Sequence, residues 1–169
     1  MNSKGQEFSV FKLLISAVIA VVILTLLLNI LGLIGPIGQG DPKKESVEIL
    51  KQAYNNRYND YRTKAVTFSN NDQINVKATA EASGLITADQ LCMVGESSFG
   101  PPNWTITAKS IMYTGGGQKQ AYLAAYCDKG NALSTSLEDT SFLKDVDVSG
   151  CNCATPDNTD TCCIVGLVK

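Results

Sequence analysis

Histidine is absent from this 169-residue chain. That removes the commonest general base, the commonest metal ligand and any haem attachment through Cys-x-x-Cys-His. The sequence also holds no Cys-x-x-Cys pair for thiol exchange, no Gly-x-Ser-x-Gly elbow, no internal repeat and no low-complexity tract. Charge of one sign is scarce: the formal net charge is −2, and with Lys4, Lys12 and Glu7 set aside, 12 Lys/Arg and 15 Asp/Glu are interspersed over residues 41–169. Phosphate binding needs a concentrated basic face, so nucleic acid is not an expected partner. No enzyme activity, cofactor or metal is expected either.

What the chain does have is a long apolar stretch. Residues 13–34 form a run of 22 without a charge, which as a helix would reach about 33 Å, enough for a bilayer's hydrocarbon core. The run is too long for a cleaved secretory signal and lacks an Ala-x-Ala site after it. It is expected to be a transmembrane helix that stays on the protein. All six cysteines, Cys92, Cys127, Cys151, Cys153, Cys162 and Cys163, follow it. An even count on one side of a span points to an oxidising compartment, so the C-terminal part is expected outside the cytoplasm.

Ahead of the run stands Lys4-Gly5-Gln6-Glu7-Phe8-Ser9-Val10-Phe11-Lys12. Lys-Gly-Gln before a long apolar helix resembles the processing site of archaeal type IV pilin precursors with a class III, prepilin-type signal sequence. The resemblance covers roughly residues 4–34. It implies a cut between Gly5 and Gln6 by a prepilin peptidase, with the helix retained. Glycine suits such a site because it lets an extended backbone enter a narrow cleft. The family's usual glutamate at the fifth residue after the cut is here Val10, and Glu7 is the nearby acid. The resemblance further implies a precursor held in membrane lipid and then self-association into a helical surface filament by the pilus assembly machinery. The helix would pack subunits through Glu7, Phe8, Phe11, Leu13, Leu14, Val18, Val21, Val22 and Leu26, with the head outside for contacts such as cell adhesion. The alternative is a non-polymerising, membrane-anchored extracellular binding module or a minor pilin. The organisation expected is a leader over 1–5, a hydrophobic helix over 6–34, a Gly/Pro linker over 35–42 and an extracellular head over 43–169.

Within the head, Asp41-Pro42 caps a helix whose apolar positions Val47, Leu50, Tyr54, Tyr58 and Tyr61 recur at three and four, predicting one amphipathic helix to about Arg62. Alternation at Val66/Phe68 and Ile74/Val76/Ala78 about a Ser-Asn-Asn-Asp-Gln turn predicts a hairpin. Thr87 caps a short helical turn that delivers Cys92. Residues 104–113 are expected to pair with 121–127 across the glycine-rich turn 114–118. That triple glycine lacks the Gly-Lys-Ser/Thr ending of a phosphate cradle. Residues 162–168 read as a final buried strand. The fold expected is therefore α+β, a hydrophobic transmembrane or filament-core helix followed by a disulfide-bonded, mainly antiparallel β head with one amphipathic helix.

Six cysteines admit many pairings. Cys92 with Cys127, and two bridges from Cys151 and Cys153 to Cys162 and Cys163 across the polar loop 154–161, is the expected set. A four-thiolate metal site is the competing use of the last four, against their spacing. Asp157 and Asp160 read as part of a solvated loop because the alternating ligands of a calcium loop are missing. Asn103-Trp104-Thr105 is the single Asn-x-Ser/Thr sequon, placed behind Pro101-Pro102 in an expected surface loop, and Asn103 is the glycosylation candidate.

Overall fold

A carboxylate and a proline start the head. Asp41 stays extended and its side chain accepts from the Lys43 N–H at 2.9 Å, while Pro42 occupies the first helical position, where a missing N–H costs nothing. In the computed structural model, the backbone of residues 4–30 and 40–169 is described, with the side chains of 12–24, 27 and 40–169. The chain divides into an N-terminal helical unit and the head.

The N-terminal unit is helix α1, Lys4–Ile30. The transmembrane assignment is overturned: among the described residues no helix is long and apolar enough to cross a membrane. The continuous described side chains run over 12–24, beginning with the charged Lys12. Every side chain of this stretch is exposed. The linker expected over 35–42 lies mostly outside the described residues.

Helix α2, Pro42–Asn55, buries Ser46, Ile49, Leu50 and Ala53 at helical spacing. It stops well before Arg62. Asn56 leaves the helical region and Tyr58 takes a φ of +72°, reversing the chain. The tyrosine stripe therefore splits: Tyr54 and Tyr61 pack against the core, whereas Tyr58 is 66% exposed. Tyr61–Arg62 then forms strand β1.

Strand β2, Val66–Phe68, and strand β3, Gln73–Asn75, do not make the expected hairpin. They diverge from a turn at Asn71, whose φ is +67°, into different sheets. Val76 and Ala78 do not extend β3 either, because α3 occupies Val76–Ser83. Asn75 caps α3 by accepting from the Ala78 N–H at 2.8 Å, and Gly84 closes it in the left-handed region at φ +67°. Burial of Val76, Thr79, Ala80 and Ser83 follows the helical period. A single-turn 3-10 helix, Ala88–Gln90, with Thr87 and Gln90 forming a capping box, leads into strand β4, Leu91–Gly95.

Strands β5, Trp104–Thr107, and β6, Ser110–Tyr113, pair with each other. This corrects the expected pairing of 104–113 with 121–127. The reversal comes earlier than the glycines: Thr107 Oγ1 accepts from the N–H groups of Lys109 and Ser110 at 3.3 and 3.1 Å. The glycine-rich loop instead carries the chain from the small sheet, ordered β3-β6-β5, to strand β7, Lys119–Lys129.

β7 organises the larger sheet. It pairs antiparallel with β1 and β2 on one side and with the last strand, β8, Thr161–Val168, on the other, where β8 also pairs in parallel with β4. One face of this sheet, with Leu123, Cys127, Val165 and Leu167, packs under α2, α3 and the small sheet. The other, with Tyr126, Cys162, Ile164 and Val168, packs under helix α4, Gly130–Glu138, and the loop after it. Covering both faces is why β8 reads as an unbroken apolar run. The head thus has three helices of eight or more residues where one was expected, and its sheets are mainly antiparallel with one parallel pair.

Candidate functional site

The most unusual surface belongs to α1. Leu13, Leu14, Val18, Val21 and Val22 are 52 to 72% exposed, and Ile15, Ile19, Ile23, Leu24 and Leu27 are also open to solvent. With 3.6 residues per turn these positions cover the whole circumference rather than one stripe. A helix apolar on all sides needs cover on all sides. Ser16 turns its hydroxyl back to the Lys12 carbonyl at 2.7 Å, so even this polar side chain spends its hydrogen bond on its own helix. Gly5, Gln6, Glu7, Phe8, Phe11 and Leu26 fall within the helical backbone, while their side chains lie outside the described residues. The Gly5–Gln6 bond sits in the first helical turn, whose N–H groups have no intrahelical partner, so opening it breaks few bonds.

The cysteines form three bridges, Cys92–Cys151, Cys127–Cys163 and Cys153–Cys162, and none is free. The expected Cys92–Cys127 pair is incorrect. Cys92 on β4 and Cys127 on β7 lie on opposite faces of the large sheet, with β8 between their strands. Cys127 instead meets Cys163, its register partner on β8. Only one bridge spans the polar loop, from Cys153 to Cys162, because Cys151 is drawn to β4. A thiolate metal site from the last four cysteines is overturned by this pairing. Among the described residues no group of three or more His, Cys, Asp or Glu is arranged to hold a metal ion.

Asn103 sits in a turn fixed from both ends. The Trp104 N–H donates to Gly100 at 3.1 Å, Thr114 N–H donates to the Asn103 carbonyl at 2.8 Å, and Thr114 Oγ1 donates to the Pro102 carbonyl at 2.9 Å. Asn103 and Thr105 are exposed, while Trp104 between them is only 4% exposed. Its ring packs against Phe68, Phe99 and Tyr113 with centroids 4.9, 5.5 and 4.8 Å away.

Two polar arrangements gave no sequence signal because their partners are far apart in the chain, and a third joins residues eight positions apart. Asp60 accepts from the N–H groups of Ser141 and Phe142 at 2.8 and 2.9 Å, tying the end of the α2 turn to the loop after α4. Arg62 lies over the Tyr122 ring at 3.8 Å, and its guanidinium donates to the Lys169 carbonyl. Buried Asp128 accepts from Ser136 at 2.6 Å beside Tyr126. Burial pushes the Tyr126 phenol above its ordinary value, and the Asp128 charge adds to this against a lowering hydrogen bond with Ser136. A groove of about 650 Å³ also runs between α2 and α3, floored by Val47, Ile74 and Ala78. Compared with protein-family models, curated proteins and solved structures, the chain matches none.

Proposed function

We propose that the chain is the structural subunit of an archaeal type IV pilus-like surface filament, trimmed after Gly5 and assembled through α1 with its head outward. The observation that carries this reading is the all-round exposure of apolar side chains on α1. A dimer would cover one stripe of such a helix and leave the rest in water. A bundle in which each helix meets several neighbours covers every face, and burial of each Leu, Ile or Val stabilises it by about 1.5 to 3 kcal/mol. Because the same contact repeats from copy to copy without closing, the product is an open helical array. Three disulfides suit a head that lives outside the reducing cytosol. The Lys4-Gly5-Gln6 sequence supports the processing step.

Mass measurement of the N-terminus of the chain taken from its own cells tests the reading. A mature chain beginning at Gln6 is expected, and Gly5→Leu should leave an uncut precursor that enters no assembly. Chains that keep residues 1–5 and remain unassembled would refute it.

A further inference from the structure

We infer that Asn103 is a covalent modification site that takes an N-linked oligosaccharide from a polyprenyl-phosphate-linked donor. The sequon alone is a weak signal, since short motifs recur by chance. The fold adds what the sequence could not. Asn103 and Thr105, the two residues that such a transferase must engage, are both exposed, although the residue between them is anchored in the core. Trp104 therefore works as a peg: its ring is held by Phe68, Phe99 and Tyr113, and the acceptor asparagine and the threonine are displayed on either side of it. The bonds that fix the turn use main-chain groups and the Thr114 hydroxyl, and none uses the Asn103 side-chain amide. The amide can be consumed without releasing the turn. Asn103 also borders an open cleft of about 760 Å³, lined by Ser97, Phe99, Lys119, Gln120 and Tyr122, which leaves room for the first sugars.

In the transfer, the Asn103 Nδ2 forms a bond to the anomeric carbon of the donor sugar. The bond from that carbon to the phosphate oxygen breaks, its electron pair leaves with the polyprenyl phosphate, and the amide gives up one proton to the transferase's base. The inference shares with the filament reading only the requirement that the head is outside the cytosol, for which the disulfides are the argument.

The test is peptide mass spectrometry on the full chain isolated from the cells that make it, with the three disulfides scored in the same sample. The expected result is a saccharide mass on the peptide holding Asn103, complete loss in Asn103→Gln and in Thr105→Ala, and retention in Thr105→Ser. Retention in Thr105→Ser separates hydroxyl recognition from a folding defect. An unmodified Asn103 in a fully oxidised chain, or a saccharide mass that persists in Asn103→Gln, would overturn this inference and leave the filament reading intact. An unmodified Asn103 in a chain with reduced cysteines would overturn both.

Discussion

Cys127 and Cys163 face each other across β7 and β8, with their Cα atoms 4.1 Å apart, and are joined by a disulfide. The bridge therefore links two residues that the antiparallel ladder already holds opposite, as in the closer type of cross-strand pair. Both are fully buried.

The three bridges should contribute unequally. They close loops of 59, 36 and 9 residues for Cys92–Cys151, Cys127–Cys163 and Cys153–Cys162. Constraint of the unfolded chain then amounts to about 4.2, 3.8 and 2.6 kcal/mol. Replacing each pair by alanines should lower the denaturation midpoint in that order, measured by circular dichroism. An equal or reversed ranking would show that the native contacts of each bridge outweigh its effect on the unfolded chain.

Trp104 is the chain's one tryptophan and the centre of the aromatic cluster. Trp104→Ala should destabilise the head by about 3 to 5 kcal/mol, read as a shift in the denaturation midpoint. In the unmodified chain, the red shift of tryptophan emission on unfolding should coincide with loss of circular dichroism, because the ring touches residues from both sheets.

Residues 73–83 show where the sequence was legible and where it was not. The apolar positions Ile74 and Val76 are indeed buried, but Ile74-x-Val76-x-Ala78 satisfies a period of two for so few residues that the helical set Val76, Thr79, Ala80, Ser83 goes unnoticed beside it. Asn75, a capping residue followed by alanines, was the available sign of α3. The unbroken apolar run of β8 and the Asp41-Pro42 start of α2 were readable because each depends on neighbours in sequence. Strand partners were not: β2 and β3 separate, and β7 serves β1, β2 and β8, through contacts that no local pattern encodes. The disulfide pairing failed for the same reason, since it follows which face of the large sheet each cysteine occupies. For the candidate surfaces, the apolar character of α1 and the sequon were plain, and the lone tryptophan reads as a core or edge residue, whereas the three rings that hold Trp104 between the exposed Asn103 and Thr105 needed the fold.

Tyr126 should make the head lose stability at alkaline pH. Its phenol is held above the ordinary value of 10.0, first by burial and then by the Asp128 charge. The folded state thus binds this proton more tightly than the unfolded chain does. Its contribution is fully present below the unfolded value and is lost as pH rises through the folded one. The melting temperature should therefore fall more between about pH 9 and about pH 11 in the unmodified head than in Tyr126→Phe, once the same buffers are compared. An identical pH slope in both would exclude Tyr126 as the group responsible.

Assembly should be separable from folding of the head. Val18→Asp places a charge in the middle of the apolar surface of α1, where it would have to be buried among neighbouring helices. The variant should show unchanged disulfides and an unchanged head melting transition but no sedimenting polymer. If Val18→Asp polymerises as well as the unmodified chain, α1 is not the assembly surface.

The claim that α1 is covered by copies of itself is tested most directly by electron cryomicroscopy of surface filaments from cells that make this chain. The reconstruction should begin every subunit at Gln6 and place what remains of α1, residues 6–30, in a packed central bundle, with the disulfide-bonded heads on the outside. Filaments built through the heads with α1 left outside, or the absence of the chain from any filament, would contradict it.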